Sequence, residues 1–243
     1  MVRKIGCFIT GSWTEAGAMT SFLKKINANF EYIQLLPNKP KYKRGLSPAV
    51  NGLTGEALLK EMYRRLELYG YQYNDYYAFI VEDDLDCRFH EMSEVDILDY
   101  RNRIQAEVNR LMKKEVPVIF LFASPEIESW FLVDWEHTFQ KVYVNRFFTN
   151  RLRVYVDHEV VKEYWQTGIE KYGIINGVYT KLSDKIIDAI LQVTIDNGIQ
   201  DNSLRYSKRD HGDMMLRNAV PENLLEKCAL FFAPAYRELK ALG

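Results

Sequence analysis

Cysteine and histidine are scarce in this 243-residue chain, with three of one and four of the other. Cys7, Cys87 and Cys228 lie far apart without a CxxC pair, which argues against a disulfide framework and a cysteine zinc site. His90, His137, His158 and His211 form no HxxxH or HExxH pattern, so no histidine-based zinc centre is expected. The GxxxxGK(S/T) phosphate loop, the GxGxxG fingerprint and the GxSxG nucleophile elbow are all missing. Their absence argues against a P-loop ATPase, a dinucleotide enzyme and an α/β-hydrolase. Charge of one sign is missing too. Lys plus Arg is 32, Asp plus Glu is 33, and the net charge of −1 excludes a globally basic nucleic-acid coat but not a local basic groove. No stretch reaches the roughly 18 apolar residues of a membrane span. The N-terminal run MVRKIGCFITGSW lacks the length and cleavage pattern of a signal peptide. With so few thiols, a soluble cytoplasmic protein without membrane contact is the expectation.

What remains is an ordinary globular composition, 47% hydrophobic, 27% charged and 14% aromatic, in a chain long enough to bury a core without staples. The first half alternates apolar runs with helical spacing. Strands are predicted over 4–10, 30–36, 76–81 and 116–122, and helices over 14–26, 55–69 and 96–114. Thr14 is a candidate N-cap. This alternation predicts an α/β domain with a mainly parallel four-stranded sheet flanked by helices. The second half reads as helix over 126–134, 160–172, 183–195 and 221–242, with Pro221 and Pro234 in first-turn positions. Residues 151–156 (RLRVYV) read as a short strand. The division drawn is an α/β core over 1–135 and a mainly helical extension over 136–243 packed with it as one unit.

Four segments carry chemistry. Residues 76–86 (YYAFIVEDDLD) are an apolar strand ending in Glu82, Asp83, Asp84 and Asp86. Ligands of open α/β sheets bind at such carboxyl ends. Clustered carboxylates repel one another unless a proton or a cation compensates, and a hard dication takes oxygen ligands. The DxD spacing points Asp84 and Asp86 the same way if the backbone stays extended. A solvated acidic loop is the plain alternative. Residues 124–134 (SPEIESWFLVD) follow the fourth strand. The helix dipole accounts for one glutamate there, but less well for Glu128, which borders an apolar segment. Residues 205–217 (RYSKRDHGDMMLR) offer Lys208 to neutralise phosphate or developing negative charge. His211 reads as part of a charged loop rather than as a base. Residues 38–48 (NKPKYKRGLSP) place Lys39, Lys41, Lys43 and Arg44 around Tyr42, a pattern that follows a phosphate backbone or is merely solvated.

The order of these segments resembles TOPRIM-fold proteins, most closely those of bacterial mobile and defence islands related distantly to the overcoming-lysogenisation-defect nucleases. That group has a VEGxTE-like turn after its first strand, a DxD after a later one, a PEIExWLLxD-like helix and a Y-x-K segment near the C-terminus. Here the matching stretches are ITGSWTE (9–15), DLD (84–86), PEIESWFLVD (125–134) and YSK (206–208). The resemblance implies a TOPRIM-like Rossmannoid fold and Mg²⁺- or Mn²⁺-dependent phosphodiester chemistry on DNA or RNA, in a phage-defence or mobile-element setting. It implies that Asp84, Asp86, Glu15 and Glu128 hold metal. It assigns catalysis to Glu15, Glu128 and Lys208, with Lys208 stabilising charge on the scissile phosphate. Lys39, Lys41, Lys43, Arg44 and Arg209 are the candidate nucleic-acid contacts. The family's glutamate before the glycine aligns with Thr10, and the turn is one residue longer than the family's.

The leading reading is therefore a metal-dependent nuclease whose carboxylates converge in space. The second is a non-catalytic TOPRIM-like module that binds a partner, as an effector subunit of a partner ATPase; a homo-oligomer is a separate expectation. The module reading is favoured by Thr10 and would be marked by an exposed apolar patch over Trp130, Trp135, Phe139, Tyr143, Phe147 and Phe148, although core packing is the plainer account of these aromatics and the one preferred. A phosphotransferase or phosphatase built on the DLD acids ranks last, because it leaves PEIESWFLVD and YSK unexplained.

Overall fold

Apolar strands that alternate with amphipathic helices bury both faces of a parallel sheet, and the computed structural model of this chain follows that rule. It describes residues 2–11, 14–37, 52–86, 88–89, 92–175, 178–201 and 204–243. Strands β1 (Arg3–Ile9), β2 (Phe30–Leu36), β3 (Tyr76–Asp84) and β4 (Val118–Ala123) form one open sheet in the order β2-β1-β3-β4. All three pairings are parallel. The crossovers carry helices α1 (Glu15–Ile26), α2 (Gly55–Tyr69) and α3 (Glu94–Met112). The α3 start is fixed by a capping box between Ser93 and Asp96.

Side-chain alternation sorts the sheet into two cores. Ile5, Cys7, Ile9, Ile80, Leu121 and Ala123 face one way, toward α1 and the C-terminal helices. Phe8, Phe79, Val81, Phe120 and Phe122 face the other, toward α2 and α3. The first core runs on through the second half of the chain: α4 (Glu128–Val133), α5 (Phe139–Val142), α6 (Arg146–Tyr155), α7 (Tyr164–Thr167), α8 (Leu182–Asp196), α9 (Asp213–Asn218), α10 (Pro221–Leu224) and α11 (Phe232–Ala241). Two short strands, β5 (Ile174–Ile175) and β6 (Val178–Tyr179), pair antiparallel. No helix among the described residues is long and apolar enough to cross a membrane.

Three expectations of local structure change. Residues 151–156 belong to α6 and its π-helical continuation over Val156–Val160, not to a strand. The alternation of Leu152, Val154 and Val156 misleads because Val154 is 57% exposed, whereas Phe148, Leu152 and Val156 are buried at helical spacing. The Asn145 side chain caps this helix by accepting from Phe148 N. The helix predicted over 160–172 survives mainly as α7, ended by Gly168 at φ +104°. The helix predicted over 221–242 splits into α10 and α11. Glu170 accepts hydrogen bonds from the amides of Leu230, Phe231 and Phe232 at the start of α11.

The aromatic residues are mostly core, as the plainer account of them expected. Trp130, Phe139 and Phe148 are fully buried, and Trp135 and Tyr143 are nearly so. Phe147 is the exposed one of the six, with Arg151 stacked on its ring.

Candidate active site

The strand alternation that builds the cores also places the acids. Glu82 and Asp84 follow Ile80 on the face shared with α1 and α4. Asp83 follows Val81 on the opposite face, where it accepts from Gly55 N at 2.9 Å and pairs with Arg88. β3 ends at Asp84, and Asp86 has φ +50°, a left-handed conformation in the turn beyond the strand. The extended DxD expected for Asp84 and Asp86 is therefore not formed. Glu82, and not Asp86, shares the strand face of Asp84. Asp86 still lines the same cleft and accepts from the Tyr179 hydroxyl at 3.2 Å.

That cleft has a volume of about 240 Å³ and opens at the C-terminal ends of β1 and β3, with Glu15, Asp84, Asp86, Glu126, Lys181 and Lys208 in its lining. Glu15 opens α1, and its carboxylate lies over Gly11. A Cβ on Gly11, whose φ is +72°, would stand 1.8 Å from Glu15 Oε2. Glycine at this turn thus supplies both the backbone conformation and the space for the acid. Thr14 does not cap α1. Its hydroxyl donates to the Lys208 carbonyl at 2.9 Å, tying the start of α1 to the YSK segment. A Cβ on Gly212 would meet Thr14 Oγ1 at 2.3 Å, so the close approach of these two segments also depends on glycine.

Lys208 begins a π-helical turn, Lys208–Gly212, and extends its ammonium among three carboxylates. Its Nζ is 3.2 Å from Glu126 Oε1, 3.3 Å from Glu128 Oε2 and 3.9 Å from Asp84 Oδ2. Glu126 is held further by the amide and hydroxyl of Ser183. Glu128 is wholly buried and accepts from the Tyr206 hydroxyl at 2.6 Å. Asp84 Oδ1 accepts from Ile127 N at 2.9 Å. The YSK segment therefore works as a unit: Tyr206 orients Glu128 and Lys208 bridges the acids.

Burial is the main electrostatic force here, and it acts against every charge. It pushes the Glu15 carboxyl up to about 7, with Glu128 and Glu126 adding to the rise and Lys208 opposing it. It raises Glu82 and Asp84 well above the usual carboxylate range, reinforced in both by Glu15. Glu128 is raised by burial and drawn back by Lys208. Burial alone would lower Lys208. Glu128, Asp84, Glu126 and Glu15 outweigh it and hold the ammonium charged far above its ordinary range.

Among the described residues, the acidic donors lining the cleft are carboxylate oxygens, with neither histidine nor cysteine, the donor type a hard cation takes. Two buried carboxylate oxygens, Glu82 Oε1 and Glu128 Oε2, accept no hydrogen bond among the described residues. The Lys208 ammonium compensates the second through charge. The side chains are arranged around Lys208, and among the described residues no three of His, Cys, Asp or Glu form a ready-made metal cage. Glu15, Asp84 and Glu128 are the groups that would hold Mg²⁺ or Mn²⁺, with Asp86 at the cleft edge.

Of the sequence-predicted site residues, Glu15, Asp84, Asp86, Glu128 and Lys208 come together. Arg209 is exposed on the turn that Lys208 opens. Lys39, Lys41, Lys43 and Arg44 lie outside the described residues. His211 is no base in this arrangement, since its Nδ1 accepts from Ser207 N at 3.0 Å within its own turn. Sequence reasoning passed over Glu82, Glu126 and Tyr206 as site residues. The first was legible from strand alternation, whereas the other two required the tertiary contacts with β3 and α4. Comparison of the chain with protein-family models, curated proteins and solved structures gives no match.

Proposed function

We propose that the protein hydrolyses phosphodiester bonds of nucleic acid with Mg²⁺ or Mn²⁺, as a TOPRIM-like nuclease. One observation carries this reading: Asp84, Glu126 and Glu128 meet around Lys208 at the carboxyl edge of a parallel sheet, beside an open cleft that Glu15 also lines. A bound dication supplies positive charge to the phosphoryl oxygens and acidifies the attacking water. Asp84 and Glu128 would hold that charge, and the Tyr206 hydroxyl keeps Glu128 in place. The Lys208 ammonium, paired with Asp84, Glu126 and Glu128 in this structure, would be the group that neutralises the scissile phosphate. Glu15, with a carboxyl near neutrality, is suited to hold or release a proton at Oε2.

The test is incubation of purified protein with end-labelled single- and double-stranded DNA and RNA in Mg²⁺ or Mn²⁺. Cleavage is expected to be lost in EDTA and to fall by about 10²-fold or more in Asp84→Asn and Lys208→Met. Intact substrate under every condition would reject the reading.

A second reading, a non-catalytic module that serves a partner such as an ATPase, is supported by the triple pairing of Lys208 with the acids. An internal ammonium already compensates them. On that reading Lys208→Met destabilises the fold and no added cation restores it.

A further inference from the structure

The segment that joins β6 to α8 borders the cleft, and two of the cleft's own acids hold it there. At one end the Tyr179 hydroxyl donates to Asp86 Oδ1 at 3.2 Å. At the other, the amide and hydroxyl of Ser183 donate to Glu126 at 2.9 and 3.2 Å. The Tyr179 ring also lies close over Gly173, where an added Cβ would stand 2.9 Å from it. Lys181 sits midway between these anchors, immediately before the first residue of α8, and its side chain lines the cleft.

The two lysines of the cleft differ in what surrounds them. Lys208 is already neutralised, with three carboxylates within 3.9 Å of its ammonium. Lys181 is exposed and forms no ion pair or side-chain hydrogen bond among the described residues. The acids that anchor its segment are engaged elsewhere, Glu126 by Ser183 and Lys208, and Asp86 by Tyr179. An exposed lysine is ordinarily just solvated. This one is set apart by a backbone fixed on both sides to the walls of a cleft whose other charges are Glu15, Asp84, Asp86, Glu126 and a paired Lys208. A polyanion entering there is repelled by the acids and needs a cation whose charge is still available.

We infer that Lys181 is a substrate-binding residue of this cleft, pairing with a nucleic-acid phosphate next to the scissile one. The inference rests on the nuclease reading and adds a contact that reading does not contain. Lys208 faces the reacting phosphate, whereas Lys181 grips its neighbour. That grip is the same before and during the reaction, so Lys181 acts on affinity and not on turnover.

The experiment is fluorescence anisotropy of labelled single- and double-stranded DNA and RNA in Ca²⁺, across a range of KCl concentrations, with a cleavage assay in Mn²⁺ alongside. The proteins are wild type, Lys181→Gln, Lys181→Arg and Lys185→Gln. Lys185 lies one turn further along α8, outside the cleft lining, and controls for the loss of one positive charge. Lys181→Gln is expected to melt with wild type, because its side chain holds nothing in the fold. It is expected to weaken binding by about 3- to 10-fold near 0.1 M salt and to flatten the slope of log affinity on log salt by about 0.7 to 0.9. KM is expected to rise by the same factor with kcat within about twofold. Lys181→Arg and Lys185→Gln are expected to stay within about twofold of wild type. Wild-type affinity in Lys181→Gln, or an equal loss in Lys185→Gln, overturns the role of Lys181 and leaves the nuclease reading standing. Binding that depends on Lys181 without any cleavage supports the contact and rejects the nuclease reading. Neither binding nor cleavage by wild type overturns both.

Discussion

Glu15 shows how one residue joins stability to chemistry. Its carboxyl is nearly buried at the first turn of α1, where the helix N-terminus favours negative charge, yet burial prevails and lifts it from an ordinary 4.5 to about 7. The sign of the linkage follows. Between those values the native state holds a proton that the unfolded chain has released, so stability falls as pH rises through that window. In metal-free buffer the melting temperature of wild type is expected to decline from about pH 4.5 to about pH 7. Glu15→Gln is expected to flatten that slope and to melt higher than wild type above it. Calorimetric melts of both proteins in EDTA check this, and parallel pH profiles would count against it. The residue scale is also where sequence was least sufficient. Glu15 stood out as the acid of the TE pair, but its dependence on Gly11 needed the fold: only there does a Cβ collide with the carboxylate.

Among the elements, strands were more legible than helices. β1 to β4 are apolar runs, and their existence, order along the chain and parallel pairing follow from alternation with amphipathic helices. The acidic end of β3 was legible as well. What failed was an assumption about geometry, that the backbone remains extended through Asp86, when the left-handed φ of that residue ends the alternation. The C-terminal helices were harder because their boundaries are set by distant groups. Nothing local in residues 221–242 announces that Glu170 will cap the second segment. Its carboxylate accepts three consecutive amides and is pushed up to about 6 by burial, against the pull of those same hydrogen bonds. Glu170→Ala leaves those amides without acceptors at the start of α11. It is expected to cost roughly 1–3 kcal/mol in urea unfolding. A change below about 0.5 kcal/mol, the scale of ordinary surface substitutions, would show that water replaces the cap.

At the scale of the whole molecule, the C-terminal half both completes the core and supplies the YSK segment to the sheet edge. α9 packs on α1 and α11 packs on β4, so Tyr206 and Lys208 reach acids that precede them by 78 to 193 positions only because the chain folds back over its own sheet. The result is a buried excess of carboxylates around one lysine, a charge distribution that a hard dication would relieve. Binding to the native state alone would raise the melting temperature with cation concentration. The most direct measurement is calorimetric titration of Mg²⁺ and Mn²⁺ into wild type and Asp84→Asn, both confirmed as folded. Saturable binding by wild type that disappears in Asp84→Asn is the expected result. The absence of binding in wild type, or equal binding in both proteins, would contradict a cation site at the end of β3.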